Sequence, residues 1–479
     1  MKPIVRLAVF SCFLFLCASS VQADLTEDVR ALLRNKIFAK AEVGVEIVDL
    51  SQSEQPKIVF RHNSDIPLIP ASNLKLVTTA AALEKLGPDY AFKTLLIKRG
   101  DDLVIVGDGD PTFGDVEMLR KVGWDVDTIF KSWAENLKKL GITSVNNVLV
   151  DDSIFDQQFV HPSWPADQLH KRYVAQVAGL NLNANCIDFY LKVNGSGSKV
   201  SYGTVPATSY VQVDNECVGG NQNAVWLSRV LGSNTVVLKG EVPRSNIEPI
   251  SVTIEDPSLF AATVLAETLK SNGIEVRGKV DRDRTIREKV GRQAWSEDFK
   301  LIGMHSTRVY DVVSRANKDS MNLYAEALCK RVGAEASGKP GSWENGTAAV
   351  KDFLTTTVGI PADEISLDDG CGLSRKNTIS ANAIAQLLVY ENRKSSANSF
   401  LQTLAVGGED GTLDKRFRDD LKGRVFAKSG YVNGVSCLSG YVKTKSGKDF
   451  AFSILMNGVT SGSAKTVQEK IVKAIDQND

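Results

Sequence analysis

The sequence has 479 residues, 43% hydrophobic and 24% charged, a balance typical of a globular protein of two or three domains. Its 57 basic and 57 acidic residues cancel, so it lacks the positive excess by which proteins displace counterions from nucleic acid. These figures argue against nucleic-acid binding. No long apolar segment follows the N-terminal one, so the sequence predicts at most peripheral contact with a membrane.

The N-terminus has the pattern of a secretory signal peptide. Basic residues precede an apolar run that ends at Cys17 and is too short to stay in a bilayer as a spanning helix. Small residues follow, and we predict cleavage after Ala23, which makes residues 1–23 the signal peptide of an exported protein. A lipoprotein at Cys17 is disfavoured because the bulky Leu16 stands where a small residue is preferred.

Five cysteines follow the predicted cleavage site, at positions 186, 217, 329, 371 and 437. In an oxidising compartment Cys186 and Cys217 could form a disulfide, whereas Cys329 lies in an apolar helical pattern typical of a buried thiol. No cysteine pair has the spacing of zinc ligands, and none of the four histidines belongs to an H-E-x-x-H motif. No metal or cofactor is expected.

In chain order, the first predicted elements are two strands, Val43 to Leu50 and Pro56 to Phe60, and a helix from Ser72 to Leu86. From about Ala91 to Val290 many short β-rich runs alternate with Gly, Asn, Asp and Pro. This stretch contains one clear helical pattern, Leu259 to Ser271, after the start signal Asp256-Pro257.

Helical patterns return after Leu301, and three strand patterns and a terminal helix close the chain. The helices are predicted at 310–313, 321–332 and 346–356, the strands at 424–431, 436–444 and 449–456, and the last helix at 464–475. This order predicts an α+β domain interrupted by an insertion. We assign residues 24–92 and 291–479 to the main domain and 93–290 to a β-rich inserted region of two small nested domains.

The predicted helix at Ser72 carries the first candidate for chemistry. Ser72 and Lys75 are spaced i, i+3 and therefore project from one side of a helix. A lysine in a low-dielectric environment, or beside another cation, loses affinity for its proton and can activate a serine. A helix cap with a surface lysine explains the pair equally well, and the same S-x-x-K pattern recurs at Ser196 to Lys199 in a Gly-Ser stretch without a following helix.

Two further segments strengthen that hypothesis. Ser320-Met321-Asn322 stands at the start of a predicted helix, where a hydroxyl and an amide two residues apart can face one cleft. Capping alone would also explain Ser320, and S-x-N begins at three other serines. Lys428-Ser429-Gly430 lies inside a predicted strand, where a lysine is unusual. The same tripeptide at 445–447 lies in a predicted turn and needs no explanation.

The order S-x-x-K, S-x-N, K-S-G resembles that of the penicillin-recognising serine transferases. In detail the chain is similar to the class C low-molecular-mass penicillin-binding proteins, the D-alanyl-D-alanine carboxypeptidase/endopeptidase family (peptidase family S13). The resemblance covers essentially the whole mature chain. It rests on the segments "PASNLKLVTTAAALEKLGPDY", "GDGDPTF", "DDSIFD", "NKDSMN" and "DDGCGLSRKNTIS".

This resemblance implies a β-lactamase-like fold with a large β-rich insertion, and a role for each motif. Ser72 is then the acylated nucleophile, Lys75 its general base and Ser320 a proton relay. Asn322 holds the substrate amide, and the strand motif binds the terminal carboxylate through Lys428, Ser429 and Gly430. The backbone N–H groups of Ser72 and Tyr431 form the oxyanion hole.

Further binding residues, and three departures from the family pattern, follow from the same comparison. Arg375 is expected to line the end of the peptide-binding groove, and Asp167, in a loosely matching segment, to meet the amine of a diaminopimelate side chain. The departures are Ser429 where threonine is usual, Met321 where many relatives have aspartate, and Cys371 in place of a serine.

The resemblance therefore implies a periplasmic serine DD-peptidase that acts on peptidoglycan stem peptides and is acylated by β-lactams. Two rivals remain: a β-lactamase or esterase on the same site, and a non-enzymatic wall-binding protein. The balance of carboxypeptidase and endopeptidase activity and the oligomeric state do not follow from the sequence.

Two other segments have structural interpretations. "GDGDPTF", Gly107 to Phe113, lacks the G-K-[ST] of a phosphate loop and a following helix signal, so we interpret it as a turn. The charged run from Glu275 to Arg292 is interpreted as a solvated face.

Overall fold

The computed structural model of the chain describes residues 24–51, 55–292 and 299–479. The predicted signal peptide, residues 1–23, lies outside the described residues.

Twelve α-helices lie within these ranges. They are α1 Leu25–Leu33, α2 Leu74–Leu86, α3 Val116–Arg120, α4 Thr128–Lys139, α5 Pro257–Ser271, α6 Ile286–Arg292, α7 Val309–Lys318, α8 Asn322–Ser337, α9 Trp343–Asp352, α10 Ala381–Asn392, α11 Ala397–Gln402 and α12 Ser461–Gln477.

The same ranges contain twenty-two strands. They are β1 Glu42–Asp49, β2 Lys57–His62, β3 Ala91–Arg99, β4 Asp102–Val106, β5 Ser144–Val145, β6 Val148–Asp151, β7 Cys186–Lys192, β8 Ser201–Val205, β9 Gln212–Asn215, β10 Val218–Gly219, β11 Ala224–Arg229, β12 Thr235–Val242, β13 Ile250–Thr253, β14 Glu275–Val276, β15 Val280–Arg282, β16 Phe299–Arg308, β17 Ile365–Ser366, β18 Thr378–Ile379, β19 Ala405–Val406, β20 Val425–Val432, β21 Val435–Lys443 and β22 Asp449–Asn457.

A six-stranded antiparallel sheet forms the centre of the main domain, in the order β19-β20-β21-β22-β1-β2. Its inner strands are apolar on both faces, as β22 illustrates. Ala451 and Leu455 pack into the cluster that contains α2, α8 and α10, whereas Phe452 and Ile454 pack with α1 and α12 on the other side. Alternate side chains of a strand point to opposite faces, so both layers of helices are held by one strand.

The β-rich region contains a mixed five-stranded sheet in the order β15-β6-β4-β3-β16, together with smaller sheets. Its own core joins α4 and α5 to these sheets. The chain leaves the main domain along β3 and returns along β16, and these two strands pair antiparallel. The limits 24–92, 93–290 and 291–479 remain a prediction.

The predicted fold class, an α+β domain with a large β-rich insertion, is confirmed, while several helices differ from the expectation. Helix α4 was not predicted, although its buried residues Ile129, Phe130, Trp133 and Leu137 recur with helical spacing. Helix α9 begins at Trp343, earlier than expected, because Ser342 caps it and Asn345 completes a capping box.

The turn predicted at "GDGDPTF" is buried and leads into a helix that the sequence analysis did not anticipate. The side chain of Asp115 accepts hydrogen bonds from the backbone N–H groups of Glu117 and Met118, at 2.8 and 3.2 Å, and so caps α3. Asp115 also binds Arg315 and Tyr324 of the main domain. The expectation of no helix here was wrong, because Asp115 is an N-cap that satisfies two backbone N–H groups of the first helical turn.

The charged run at 275–292 is not simply a solvated face. The Arg282 guanidinium lies 3.1 Å from the Asp152 carboxylate and 2.7 Å from that of Asp256, and its side chain is only 17% exposed. Arg287 binds Asp108 at 3.2 Å. The run therefore joins β15 and α6 to neighbouring strands through ion pairs, which composition alone did not reveal.

All five cysteines of the described residues are buried free thiols, so the disulfide considered between Cys186 and Cys217 is not formed. Cys217 packs in the apolar core of the inserted region. Burial raises the pKa of the Cys186 thiol to about 12. These cysteines act as small apolar side chains.

Within the part of the chain that the structure describes, no helix combines the length and apolar character needed to cross a membrane.

Candidate active site

The S-x-x-K segment lies where a short 3₁₀ turn, Ala71–Asn73, leads into α2. Ala71 has a positive φ of 46°, a conformation unfavourable for residues other than glycine. Ser72 follows on the wall of a cleft, while Lys75, one turn later, is fully buried. The backbone therefore directs the serine outward and places the lysine directly beneath it.

Lys75 contacts three oxygen atoms. Its Nζ lies 2.9 Å from Ser72 Oγ, 2.7 Å from Asn322 Oδ1 and 2.8 Å from the carbonyl oxygen of Cys371. The orientation of the Asn322 amide is fixed because its Nδ2 donates to the carbonyl oxygen of Tyr173 at 2.7 Å.

These contacts define what a neutral Lys75 would do. The Asn322 and Cys371 oxygens can only accept hydrogen bonds, whereas a serine hydroxyl can both donate and accept. A neutral amine has two protons, which the two obligate acceptors bind, and its lone pair is then left facing the Ser72 hydroxyl. The arrangement can take a proton from Ser72.

The environment favours that neutral form. Burial lowers the pKa of Lys75, and the nearby Cys371, Glu326 and Asp369 raise it in part. The lysine of the third motif, Lys428, is also fully buried. Burial holds the pKa of Lys428 well below its usual range, and the charge of Lys75 lowers it further.

The second and third motifs meet at Ser320. Lys428 Nζ lies 2.9 Å from Ser320 Oγ and 2.7 Å from the Ser429 carbonyl oxygen. Ser320 has a φ of 58°, a second unfavourable backbone conformation in this site. It occurs just before α8, where the chain turns so that Ser320 and Asn322 face the same cleft.

Strand β20 forms one wall of the cleft and lies very close to the turn that carries Ser72. A Cβ atom at Gly430 would lie only 2.8 Å from the Pro70 carbonyl oxygen, so glycine is needed there. On the alternate side of the strand, Ser429 Oγ donates to Thr412 Oγ1 at 2.8 Å. The strand thus presents its backbone at Gly430 beside the turn that carries Ser72, whereas the Ser429 hydroxyl binds Thr412.

The cleft has a volume of about 920 Å³. Five predicted residues line it: Ser72, Ser320, Asn322, Arg375 and Tyr431. Arg375 is held there because its Nη1 donates to the Asn433 carbonyl oxygen at 2.8 Å. Asp167 is exposed and does not line the cleft, although its neighbours Pro165 and Gln168 do.

Two buried carboxylates behind Lys75 were not anticipated. Glu326 accepts hydrogen bonds from the backbone N–H of Cys371 at 2.8 Å and from Trp343 Nε1 at 2.6 Å. Asp369 accepts four N–H hydrogen bonds from its surroundings. Burial and the neighbouring Asp369 raise the pKa of Glu326 to about 7. The sequence contains one indication of Glu326, namely an acidic residue that lies about one turn after the start of a predicted apolar helix.

Glu326, Asp369 and Cys371 place possible metal-ligating atoms within 4.8 Å of one another. The carboxylate oxygens already accept N–H hydrogen bonds, so they are directed at donors rather than at a shared cation. This cluster supports the loop at 369–374 rather than a metal.

Residues 25–478 match the model of the D-Ala-D-Ala carboxypeptidase 3 (S13) family. A D-alanyl-D-alanine carboxypeptidase of Actinomadura sp. (strain R39) is 31% identical over 476 aligned residues, which cover 94% of this chain and 84% of the relative.

Among solved structures, penicillin-binding protein 4 (dacB) from Haemophilus influenzae is similar, with a TM-score of 0.75 and 24% identity over 94% of this chain and 99% of that one. The same protein complexed with a β-lactam has a TM-score of 0.69, with 24% identity over 93% and 98% of the two chains.

Proposed function

The chain belongs to the D-Ala-D-Ala carboxypeptidase 3 (S13) family, and from this premise we propose that it is a periplasmic serine DD-peptidase acylated on Ser72. Its substrates are peptidoglycan stem peptides that end in D-alanyl-D-alanine, or the D-Ala-diaminopimelate cross-links formed from them. The observation that carries the proposal is the contact between the buried Lys75 amine and the Ser72 hydroxyl.

In the acylation step, the neutral Lys75 amine takes the Ser72 hydroxyl proton while Oγ attacks the carbonyl carbon of the D-alanyl peptide bond. The negative charge that develops on the carbonyl oxygen is stabilised by the backbone N–H groups of Ser72 and Tyr431. The C–N bond then breaks. Lys75 passes its proton through Ser320 to the leaving amine and becomes neutral again, and the acyl group remains on Ser72 as an ester.

In the deacylation step, water attacks the carbonyl carbon of this ester and gives up a proton to the neutral Lys75 amine. The C–O bond to Ser72 breaks, and the proton returns to Ser72 Oγ. The products are the shortened peptide and the free enzyme. A β-lactam follows the same acylation step, but its leaving amine stays tethered to the acyl group, so we expect water to release it slowly.

The substrate is oriented by groups on both walls of the cleft. The terminal carboxylate is held by the strand motif, through the Ser429 hydroxyl and the buried Lys428 amine, and the Asn322 amide holds the peptide. Arg375, at the far end of the cleft, accommodates the remainder of the stem peptide. Asp167 is proposed to meet a diaminopimelate amine, at the edge of the same cleft.

The proposal is tested by incubating the protein with a peptide ending in D-Ala-D-Ala and measuring free D-alanine. Wild type should release it, and Ser72→Ala should not. Ser196→Ala is the matched control because it alters the other S-x-x-K pattern, which lies in a turn away from a helix. Equal release by wild type and Ser72→Ala would contradict the proposal.

The same assay with a cross-linked muropeptide dimer measures endopeptidase activity. A β-lactamase would instead destroy benzylpenicillin rapidly and leave the peptides intact. A wall-binding protein would retain the peptides without cleaving them.

A further inference from the structure

The loop at residues 369–374 lies directly against α2, on the side of Lys75. Two of its carbonyl groups bind the helix: Cys371 O accepts from Lys75 Nζ at 2.8 Å, and Gly370 O accepts from Thr78 Oγ1 at 2.6 Å. At Gly372, whose φ is 84°, a Cβ atom would lie 1.9 Å from the Ala71 carbonyl oxygen. The loop is therefore held as close to the Ser72 turn as its backbone allows.

On the side away from α2, the loop is held by the side chain of its own first residue, Asp369. Its Oδ1 accepts from the backbone N–H of Gly372 at 2.7 Å, and its Oδ2 from that of Ser374 at 2.7 Å. The carboxylate itself is fixed by Trp164 Nε1 at 3.0 Å and Asn377 Nδ2 at 2.9 Å. Asp369 is 1% exposed, so water does not compete for these contacts.

The two edges are connected through a single peptide unit. The carbonyl of Cys371 and the N–H of Gly372 belong to the same amide. Hydrogen bonds in a chain polarise one another, so a carboxylate on the N–H makes the carbonyl oxygen a stronger acceptor. A continuous path thus runs from Asp369 through the Cys371–Gly372 amide to Lys75 Nζ.

The Cys371 oxygen has a defined task in this site. It binds one of the two protons of the neutral Lys75 amine, and Asn322 binds the other. If the carbonyl weakened or moved, the amine could rotate, and its lone pair would no longer face Ser72. A misplacement of about 1 Å in a reacting group lowers a rate by about a hundredfold.

We propose that Asp369 is a positioning residue for the Ser72 reaction, acting through the Cys371–Gly372 peptide group to orient the Lys75 amine. The inference rests on the proposed function, in which Lys75 is the base. Asp369 itself touches neither Ser72 nor the cleft.

Because Glu326 also anchors the loop, the effect of Asp369 on Lys75 can be distinguished from simple support of the loop. It binds the N–H groups of Gly370 and Cys371 independently, at 3.0 and 2.8 Å. These N–H groups belong to the preceding peptide units. The loop therefore keeps a second anchor when Asp369 is altered, whereas Asp369 supplies the acceptor for the N–H of the amide that binds Lys75.

The test compares Asp369→Asn with wild type in the rate constant for acylation by benzylpenicillin, measured by intact mass from pH 5 to pH 9. Expressing the rate per finally acylated molecule removes any unfolded fraction. Because acylation needs a neutral base, the rate should rise with pH through the pKa of Lys75. The titratable groups near Lys75 are Cys371 and Asp369 from the loop, Glu326 from α8 and Lys428 from β20.

For Asp369→Asn we expect the plateau rate to fall about ten- to a hundredfold. The acidic limb of the pH–rate profile should shift to lower pH, because a negative charge that raises the pKa of Lys75 is removed. Asp151→Asn is the matched control. Asp151 is equally buried and accepts three backbone N–H groups, from Ser153, Ile286 and Arg287, in the inserted region. It should leave both the plateau and the limb unchanged.

If Asp369→Asn left both the plateau rate and the acidic limb of the pH–rate profile unchanged, the inference would be overturned. A lower plateau without a shift of the limb would overturn it as well. Should that variant fail to fold, Trp164→Phe removes one of the donors that fix the Asp369 carboxylate and leaves the Cys371–Gly372 amide intact, and it must lower the plateau for the inference to stand. Absence of any adduct on wild type would instead contradict the proposed function, so the two failures are distinguishable.

Discussion

At the scale of single residues, the chemistry of the site depends on the protonation states of its buried side chains. Lys75 and Lys428 are both fully buried, and burial lowers the pKa of each. The sequence predicted this for Lys75 from its spacing to Ser72. It could not predict the contact of Lys75 with the Cys371 carbonyl, because the two residues are 296 positions apart in the chain. It could not predict the role of Asp369 either, because that carboxylate acts through a backbone N–H.

Lys75→Arg tests whether Lys75 acts as a base. Arginine keeps the positive charge but is protonated at every accessible pH, so it cannot take the Ser72 proton. Acylation by benzylpenicillin should slow about 10²- to 10⁴-fold, the usual contribution of a general base. Stopped-flow or timed mass measurements give the rate, and circular dichroism shows whether the variant is folded.

Lys445→Arg is the control for that variant, because it alters the other K-S-G tripeptide, in the turn between β21 and β22. Its acylation rate should equal that of wild type. A folded Lys75→Arg protein that acylates at the wild-type rate would exclude Lys75 as the base.

Glu326→Gln tests the protonation of the buried carboxyl. The folded-state pKa of Glu326 is raised from 4.5 to about 7, so the folded protein holds this proton more tightly than the unfolded chain does. That stabilisation is fully present below about pH 4.5 and is lost as pH rises through about 7. The free energy of unfolding of wild type, minus that of the variant, should therefore be larger at pH 5 than at pH 8.

Urea unfolding at the two pH values measures this difference. The variant should also be less stable overall, by about 1–3 kcal/mol, because a glutamine leaves one of the N–H donors around position 326 without an acceptor. A difference that stays constant or grows with pH would show that Glu326 is already ionised at pH 5.

At the scale of elements, the strands and helices around the site were largely predictable, and their close contacts were not. Alternating and continuous apolar runs located β20, β21 and β22 to within two residues. The positive φ values of Ala71 and Ser320 gave no signal, because neither residue type favours that conformation. The tight approach of β20 to the Ser72 turn depends on pairing across the sheet, which single-segment patterns do not contain.

Gly372→Ala tests the close approach of the 369–374 loop to the Ser72 turn. An added Cβ would lie 1.9 Å from the Ala71 carbonyl oxygen, so the loop must move away from Lys75. We expect acylation to fall at least tenfold and stability to fall by more than the backbone strain alone, which is about 1–2 kcal/mol. Thermal unfolding and the acylation rate report the two effects.

Gly359→Ala is the matched control, since Gly359 has a φ of 86°, close to the 84° of Gly372, but no atom within 4 Å of its added Cβ. It should incur the strain without a loss of acylation. Equal losses in the two variants would mean that strain, and not the clash with Ala71, determines the behaviour of Gly372.

At the scale of the whole molecule, the fold class followed from the order of elements. Strands, a helix, a long β-rich stretch, helices and a final meander gave an α+β domain with an insertion. The connections within the insertion did not follow, because ion pairs such as Arg282 with Asp152 join distant segments. The redox state of the cysteines did not follow either, since spacing alone left a pair possible.

Thiol counting tests the whole-chain account of maturation and cysteine state. Protein purified from an exporting cell should begin at residue 24 and contain five free thiols. Iodoacetamide in denaturant, without reductant, should add five groups, and none or few in the native protein because all five are buried. Three groups would reveal a disulfide, and a mass that includes residues 1–23 would contradict the predicted cleavage.

The central claim, that Ser72 is the acylated nucleophile, is tested most directly by intact mass after incubation with benzylpenicillin, with wild type beside Ser72→Ala. The account predicts a single penicilloyl adduct on wild type and none on the variant. An adduct on both proteins would place the nucleophile elsewhere. The absence of an adduct on either, with the penicillin left intact, would contradict the account.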